Sequence, residues 1–392
     1  MWRADLLGRG WGRWRGGWRS ARRLLVRAGR WALEDEGREL GRWDSLADAL
    51  MDVWPDRRAR GSSPWAVGFV GYEEVARLAE ELPTCERFDA APAGLFLLEP
   101  EPFAASPPDK GRPVMPLGGA RWSLDAAAYR DGVEKIRERI AAGDVYQVNL
   151  CRRLTVEGWQ GSLGVFAEVA SDGGVPDYLA RIDLDGGELL CASMEMLLRR
   201  RGVELETRPI KGTRPRGTTP EEDQRLAGEL DADAKERAEL AMVVDLERND
   251  LGRISETGTV AVSDPGSVQA YAMVHHRVAR VRGRVRQGLE WWEILAAVAP
   301  GGSVTGCPKR AAMSVIAELE PVPRGPFTGA LGVVAGNGDL EMALPIRTAW
   351  RLGSTLELAA GCGVVWQSDP VAEEEESRLK VARWLDLVGG AE

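Results

Sequence analysis

The sequence predicts a mixed fold, α+β or α/β with substantial antiparallel sheet. Strand-like runs ("YQVNLCRRLTV", "GELLCASMEMLLRR", "GALGVVAG", "LELAAGCGVVW") alternate irregularly with helical segments. A chain of 392 residues, 44% apolar and 28% charged, suffices for two domains or for one large core. No apolar run reaches the length of a membrane helix, and there are no internal repeats or coiled-coil heptads.

Taken in order, the first 30 residues hold nine Arg against one acid, Asp5, and seven of the fifteen Trp lie within the first 54. Basic residues break every apolar stretch there, so no secretory signal is predicted. Residues 1–40 are set apart as a poorly ordered Arg/Trp-rich arm or an upstream extension, with a transit peptide or a polyanion-binding arm as the other readings. Residues 41–117 follow as a short N-terminal region. Within it "GSSPWAVGFVGYEEVARLAEELP" predicts a strand and then a helix ending near Pro83, and the Pro-rich segment 99–116 is the linker candidate. A boundary is placed near residue 118, with 118–392 as the main domain. "SLDAAAYRDGVEKIRERIAAGD" opens it as a helix capped by Ser123, with Tyr129, Val133, Ile136 and Ile140 on one face and Gly143 as the stop.

The net charge of −9 gives no reason to expect nucleic acid, and nothing points to a membrane. Five scattered cysteines (Cys85, Cys151, Cys191, Cys307, Cys362) without ligand spacing suit a reducing compartment and a cytoplasmic protein, and argue against structural zinc.

Two carboxylate pairs stand three residues apart on predicted helices, Glu236 with Glu239 and Glu373 with Glu376. Together they offer the oxygen ligands that a hard divalent cation such as Mg²⁺ prefers. Either pair alone is better explained without a metal, the run of four Glu as a favourable charge at a helix N-terminus and Glu236 as the partner of a neighbouring base. "PGGSVTGCPKRAAMSVIAELEP" carries Gly301 and Gly306 at Walker A spacing, but Cys307-Pro308 intervenes before Lys309 and no Ser or Thr follows. It fails as a P-loop and remains an anion site at a helix starting near Pro308, with Thr305 facing a carboxylate. "AAGCGVV" is a second glycine loop, where Gly361 and Gly363 let backbone amides approach a ligand. Arg347 lies in an apolar strand-like run and calls for an anionic partner, and His275 and His276 are the only histidines. Only six of the 51 basic residues are Lys, and one of them, Lys211, sits in "ETRPIKGTRPRG". An amine can lose its proton and attack an electrophile, whereas a guanidinium cannot. A surface lysine in a turn is the alternative.

In this order the motifs "GDVYQVNL", "ETRPIKGTRPR", "KERAELAMVVDLERNDLGRI", "PGGSVTGCPKRAAMSVIAELEP", "IRTAW" and "GCGVVWQSDPVAEEEESRLK" resemble the chorismate-utilising enzymes, a family that includes anthranilate, isochorismate, salicylate and aminodeoxychorismate synthases. The resemblance is dense over roughly residues 120 to 388. It implies the fold of anthranilate synthase component I, antiparallel sheets packed as a sandwich with surrounding helices. Lysine in the PIKGT stretch, with Asn149 in "YQVNL", resembles the aminodeoxychorismate synthase branch, in which the lysine adds covalently to chorismate. The resemblance further implies Glu195 in "SMEML" as general acid and His276 beside the departing hydroxyl. Glu236, Glu239, Glu373 and Glu376 become the Mg²⁺ ligands. Thr305, Gly306, Arg347, Gly361, Cys362, Gly363, Phe327 and Lys380 line the substrate. Phe327, Ala279 and Cys307 depart from the residues usual in the family, and the stretch tied to tryptophan feedback is missing. Neither a glutaminase elbow nor its histidine is found, so ammonia is expected from a separate amidotransferase subunit. Other chorismate enzymes making anthranilate, 2-amino-2-deoxyisochorismate or isochorismate are the alternative outcome, and a non-catalytic subunit or nucleotide-binding protein the remote one.

Overall fold

The computed structural model describes residues 1–27, 30–54, 61–79, 93–104, 119–171, 175–271 and 274–385. They form two large antiparallel sheets, ten strands in one and twelve in the other. In the ten-stranded sheet Gln147–Val156 lies next to Thr355–Val364, which leads through Thr348–Leu352, Gly187–Ser193 and Tyr178–Leu184 to Trp2–Leu6. The twelve-stranded sheet runs from Ile210–Pro215 and Val274–Arg284 through Met196–Arg201 and Ala330–Ala335 to Pro64–Val70 and Arg22–Arg27.

The sheets face each other across one apolar layer. Ala4, Cys151, Ala180, Ile182 and Trp350 from the first sheet pack with Val67, Phe69, Leu97 and Leu331 from the second. Period-two geometry makes each strand serve two layers. In "PWAVGFV", Val67 and Phe69 enter the sandwich, while Ala66 and Val70 join the outer cluster under Trp54, Leu251, Trp291 and Leu295. That double burial explains why the run reads as continuously apolar and not as alternating. Among the described residues no helix is long and apolar enough to cross a membrane.

Three expectations change here. Residues 1–40 are not a separate arm: Trp2–Leu6 pairs with Tyr178–Leu184, Arg22–Arg27 pairs with Gly94–Leu98, and Trp11, Trp14 and Trp31 are fully buried. Their arginines misled because these strands bury one face and leave Arg3, Arg9, Arg13, Arg15 and Arg19 exposed, while buried Arg23 pairs with Glu34 at 2.6 Å. Nor does residue 118 separate two bodies, since strands from either side of it share both sheets; residues 105–118 themselves lie outside the described set. The helix Ala126–Ala141 is capped by Asp125, whose carboxylate accepts from Ala128 N at 2.8 Å, while Ser123 Oγ accepts from Arg153 N at 2.9 Å and ties the entry to the sheet. Tyr129, Val133 and Ile136 are fully buried as the spacing predicts, and Gly143 ends the helix at φ 82°. The predicted strand and helix near residue 70 are Pro64–Val70 and Tyr72–Leu78, and the proposed end at Pro83 lies outside the described residues.

Candidate active site

Lys211 owes its direction to a β-bulge. In the antiparallel pair of Ile210–Pro215 with Val274–Arg284, Lys211 is opposite Arg277 and Thr213 is opposite His276, so Gly212 is the extra residue. Gly212 takes φ 72°, and a Cβ there would stand 2.8 Å from Leu230 Cδ1 and 3.1 Å from Glu236 Oε2. Glycine alone fills such a position without strain. The bulge turns the Lys211 ammonium toward the neighbouring sheet, where Nζ lies 3.5 Å from Ser303 O and 3.4 Å from the position a Cβ at Gly363 would occupy.

Glu195 sits in the short connection between Gly187–Ser193 and Met196–Arg201, and Ser303 Oγ donates to its Oε1 at 2.6 Å. Burial pushes its carboxyl up to about 7, against the pull of the Ser303 hydroxyl and the Lys211 ammonium. A carboxyl poised there exchanges protons readily near neutral pH. His276 Nδ1 lies 3.1 Å from Gly212 O and 3.0 Å from Thr213 Oγ1. A carbonyl only accepts, so Nδ1 carries the proton and Nε2 keeps its lone pair. Burial drives the ring down to about 4, with the Arg347 charge acting in the same direction, so the imidazole is neutral. Among the described residues its buried Nε2 has no hydrogen-bond partner, and neither does Gln147 Nε2, which a Cβ at Gly363 would approach to 2.7 Å. Buried polar atoms of this kind are normally completed by a partner, which in a pocket is a water or a ligand.

The glutamates stand where their helices begin. Asp233 caps Ala234–Ile254 by accepting from Lys235 N and Glu236 N, and Asp369 caps Pro370–Leu379 by accepting from Val371 N and Ala372 N. Burial raises the Glu236 carboxyl, and the charges of Glu239 and Asp233 raise it further. Glu373 is likewise raised by burial and by Glu376, although Ser368 Oγ donates to it at 2.6 Å. Burial also works upward on Glu376, but Lys380 outweighs it and the net direction is down. Among the described residues, ligand atoms of Cys362, Glu373 and Glu376 all lie within 4.8 Å of one another. Glu236 and Glu239 lie outside that trio. The Lys235 charge nevertheless bears on Glu373 and Glu376 while its Nζ is 3.8 Å from Glu239 Oε1, so the two acidic pairs face one neighbourhood.

Other sequence candidates are placed differently from expectation. "AAGCGVV" is not a loop: Gly361 and Gly363 belong to Thr355–Val364, opposite Cys151 and Asn149, and a Cβ at Gly361 would meet Cys151 Sγ at 2.4 Å. The glycines thus make room for side chains of the adjacent strand. Arg347 is exposed and precedes the strand Thr348–Leu352 in a turn with φ 48°, so it is not the buried strand guanidinium expected. Phe327 is buried in the apolar layer between the sheets. Thr305 is fully buried and donates Oγ1 to Gly301 O at 2.8 Å, which commits its hydroxyl internally. Pro308 is the cap residue and Lys309–Leu319 the helix, with Gly306 paired to Val148 just before it. Ser303 and Gln147, both inside the quoted motifs, were not singled out, because a hydroxyl and an amide become informative only when their neighbours are known.

A family description, "chorismate binding enzyme", matches residues 97–386. The chain belongs to the chorismate binding enzymes. Anthranilate synthase component 1 1 of Haloarcula marismortui is 42% identical over 264 residues, 67% of this chain and 54% of that protein. Aminodeoxychorismate synthase component 1 of Bacillus subtilis is 43% identical over 256 residues, 64% of this chain and 53% of that one. The matched part is thus about half the length of these two relatives. Anthranilate synthase component 1 of Thermus thermophilus is 37% identical over 365 residues, 84% of this chain and 79% of that protein. Among solved structures, anthranilate synthase component I of Streptococcus pneumoniae superposes with a TM-score of 0.78 at 25% identity, covering 98% of this chain and 92% of that one. The menaquinone-specific isochorismate synthase of Escherichia coli shares the fold, with a TM-score of 0.72 at 19% identity over 94% of this chain and 88% of that one. The antiparallel sandwich with surrounding helices is therefore the chorismate-binding α+β fold.

Proposed function

We propose that this chorismate binding enzyme aminates chorismate at C4, as an aminodeoxychorismate synthase component I, through a covalent adduct on Lys211. The observation that carries the proposal is the bulge at Gly212, which presents the Lys211 ammonium beside Glu195 and the bare backbone of Gly363. In the first displacement Lys211 Nζ, as the free amine, bonds to C2 of chorismate, the ring π electrons shift, and the C4 hydroxyl leaves as water with a proton from Glu195. In the second, ammonia bonds to C4, the electrons shift back, the C2–N bond breaks, and the new C4 ammonium returns a proton to Glu195. The products are 4-amino-4-deoxychorismate and the free lysine amine. Neutral His276 accepts a hydrogen bond from the departing hydroxyl through Nε2, and Gln147 donates from the opposite side. Arg347, Lys380 and the amides around Gly361–Gly363 hold the carboxylates.

Glu236, Glu239, Glu373 and Glu376 suit Mg²⁺, because burial, and after it the charge of a neighbouring carboxylate, pushes Glu236 and Glu373 up, which a cation would relieve. Bound there, Mg²⁺ would neutralise a ring carboxylate and fix its orientation. A separate glutamine amidotransferase subunit supplies ammonia, and the cytoplasm is the compartment. Anthranilate formation is the second reading, supported by relatives with that name at 42% and 37% identity. Product analysis with chorismate, Mg²⁺ and ammonium separates the two. 4-Amino-4-deoxychorismate from the wild type and its loss in Lys211→Ala support the proposal. Anthranilate from both proteins overturns it.

A further inference from the structure

We infer that Lys380 is a built-in counter-ion of the glutamate cage, a tethered ammonium that holds Glu376 while no divalent cation is bound and has to release it when one enters. The inference rests on the reading of the four glutamates as a cation site. Lys380 Nζ lies 2.9 Å from Glu376 Oε1, 2.8 Å from Gly361 O and 3.5 Å from Cys362 Sγ. Its three donors are therefore spent on two members of the ligand trio and on the carbonyl beside them. A metal ion and this ammonium repel each other at contact distance, so the two compete for Glu376 and each weakens the other's hold on it.

The residue type supports exchange over permanent pairing. Only six of the 51 basic residues are Lys, yet two of them, Lys380 and Lys235, stand against these glutamates. A guanidinium would grip Glu376 with a rigid two-pronged fork, whereas an ammonium on a flexible stem is a point charge that can let go. The Lys380 side chain is 42% exposed, which leaves it room to swing clear. Lys235 stands in the same relation to the other pair, 3.8 Å from Glu239. Once released, the Lys380 ammonium is available to an anion in the same pocket. Metal binding and capture of an anionic substrate are thereby coupled, and the coupling acts in both directions.

Mn²⁺ binding to the whole chain without chorismate, followed by paramagnetic resonance of the free ion, tests this in wild type, Lys380→Met and Lys380→Arg. Lys380→Met should bind Mn²⁺ about two- to fivefold more tightly, the size expected when a half-exposed ion pair no longer has to be broken. Lys380→Arg should bind it more weakly than wild type. In melting experiments Mn²⁺ should raise the transition of Lys380→Met more than that of wild type. Equal or weaker Mn²⁺ affinity in Lys380→Met overturns the counter-ion role while leaving the cation site standing. Absence of Mn²⁺ binding in all three proteins overturns the cation site and the inference with it.

Discussion

Glu195 is buried within reach of the Lys211 charge, and each residue fixes a measurable property. Glu195 is 5% exposed and its carboxyl is raised from 4.5 to about 7, mainly by burial. Below the lower value folded and unfolded chains are both protonated. Between the two values the unfolded chain gives up the proton first, so stability falls as pH rises through that window and is level above it. Glu195→Gln removes this cost. Its gain in melting temperature over wild type should grow from about pH 5 to about pH 8, with a ceiling of about 3 kcal/mol in stability. A pH-independent difference between the two proteins contradicts a raised carboxyl. The proton-donating form is lost on the same rise, so turnover of chorismate should decline above about pH 7 in wild type. Lys211 stood out in the sequence because lysine is rare in this chain, and Glu195 because its motif resembled a family one. Ser303, which donates to Glu195, carried no such mark.

At the scale of elements, the site depends on two backbone features with opposite legibility. The bulge at Gly212 needs an extra residue relative to a partner strand more than sixty positions away, and no local pattern announces that. The glycines at 361 and 363 were visible but misread as a loop, since glycine weakens strands and its use here is set by side chains of Gln147–Val156. Helix caps depend on such neighbours too: the helix expected near Pro308 begins at Lys309 with Pro308 as cap, whereas Asp125 displaced Ser123 because Ser123 Oγ is bound to Arg153 N. Gly363→Ala tests the strand reading. Its Cβ would meet Gln147 Nε2 at 2.7 Å and Lys211 Nζ at 3.4 Å, both at the far ends of flexible side chains. The variant should therefore fold with a melting temperature close to wild type and lose most of its kcat/KM with chorismate and ammonium. Full activity would show that the Lys211 amine does not work over this strand.

For the whole molecule, the mixed antiparallel class was legible from irregular alternation of strand-like and helical runs, but the division into arm, N-terminal region and catalytic domain was not. Sheet membership is a non-local property, and Trp2–Leu6 completes a sheet through Tyr178–Leu184. Trp11 anchors that end: it is fully buried, donates Nε1–H to Leu179 O at 3.0 Å and packs edge-on against Tyr178 at 4.9 Å between ring centres. Trp11→Ala should cost about 3–5 kcal/mol, seen as a marked fall in melting temperature. An unchanged transition would return the first residues to the status of an arm. The central claim, that Lys211 forms a bond to substrate, is tested most directly by intact-protein and peptide mass spectrometry after mixing with chorismate and Mg²⁺ in the absence of ammonia. A covalent adduct gives a mass gain of chorismate less one water, located on the peptide containing Lys211 and discharged when ammonium is added. An unmodified Lys211 in protein that still converts chorismate once ammonium is supplied would contradict it.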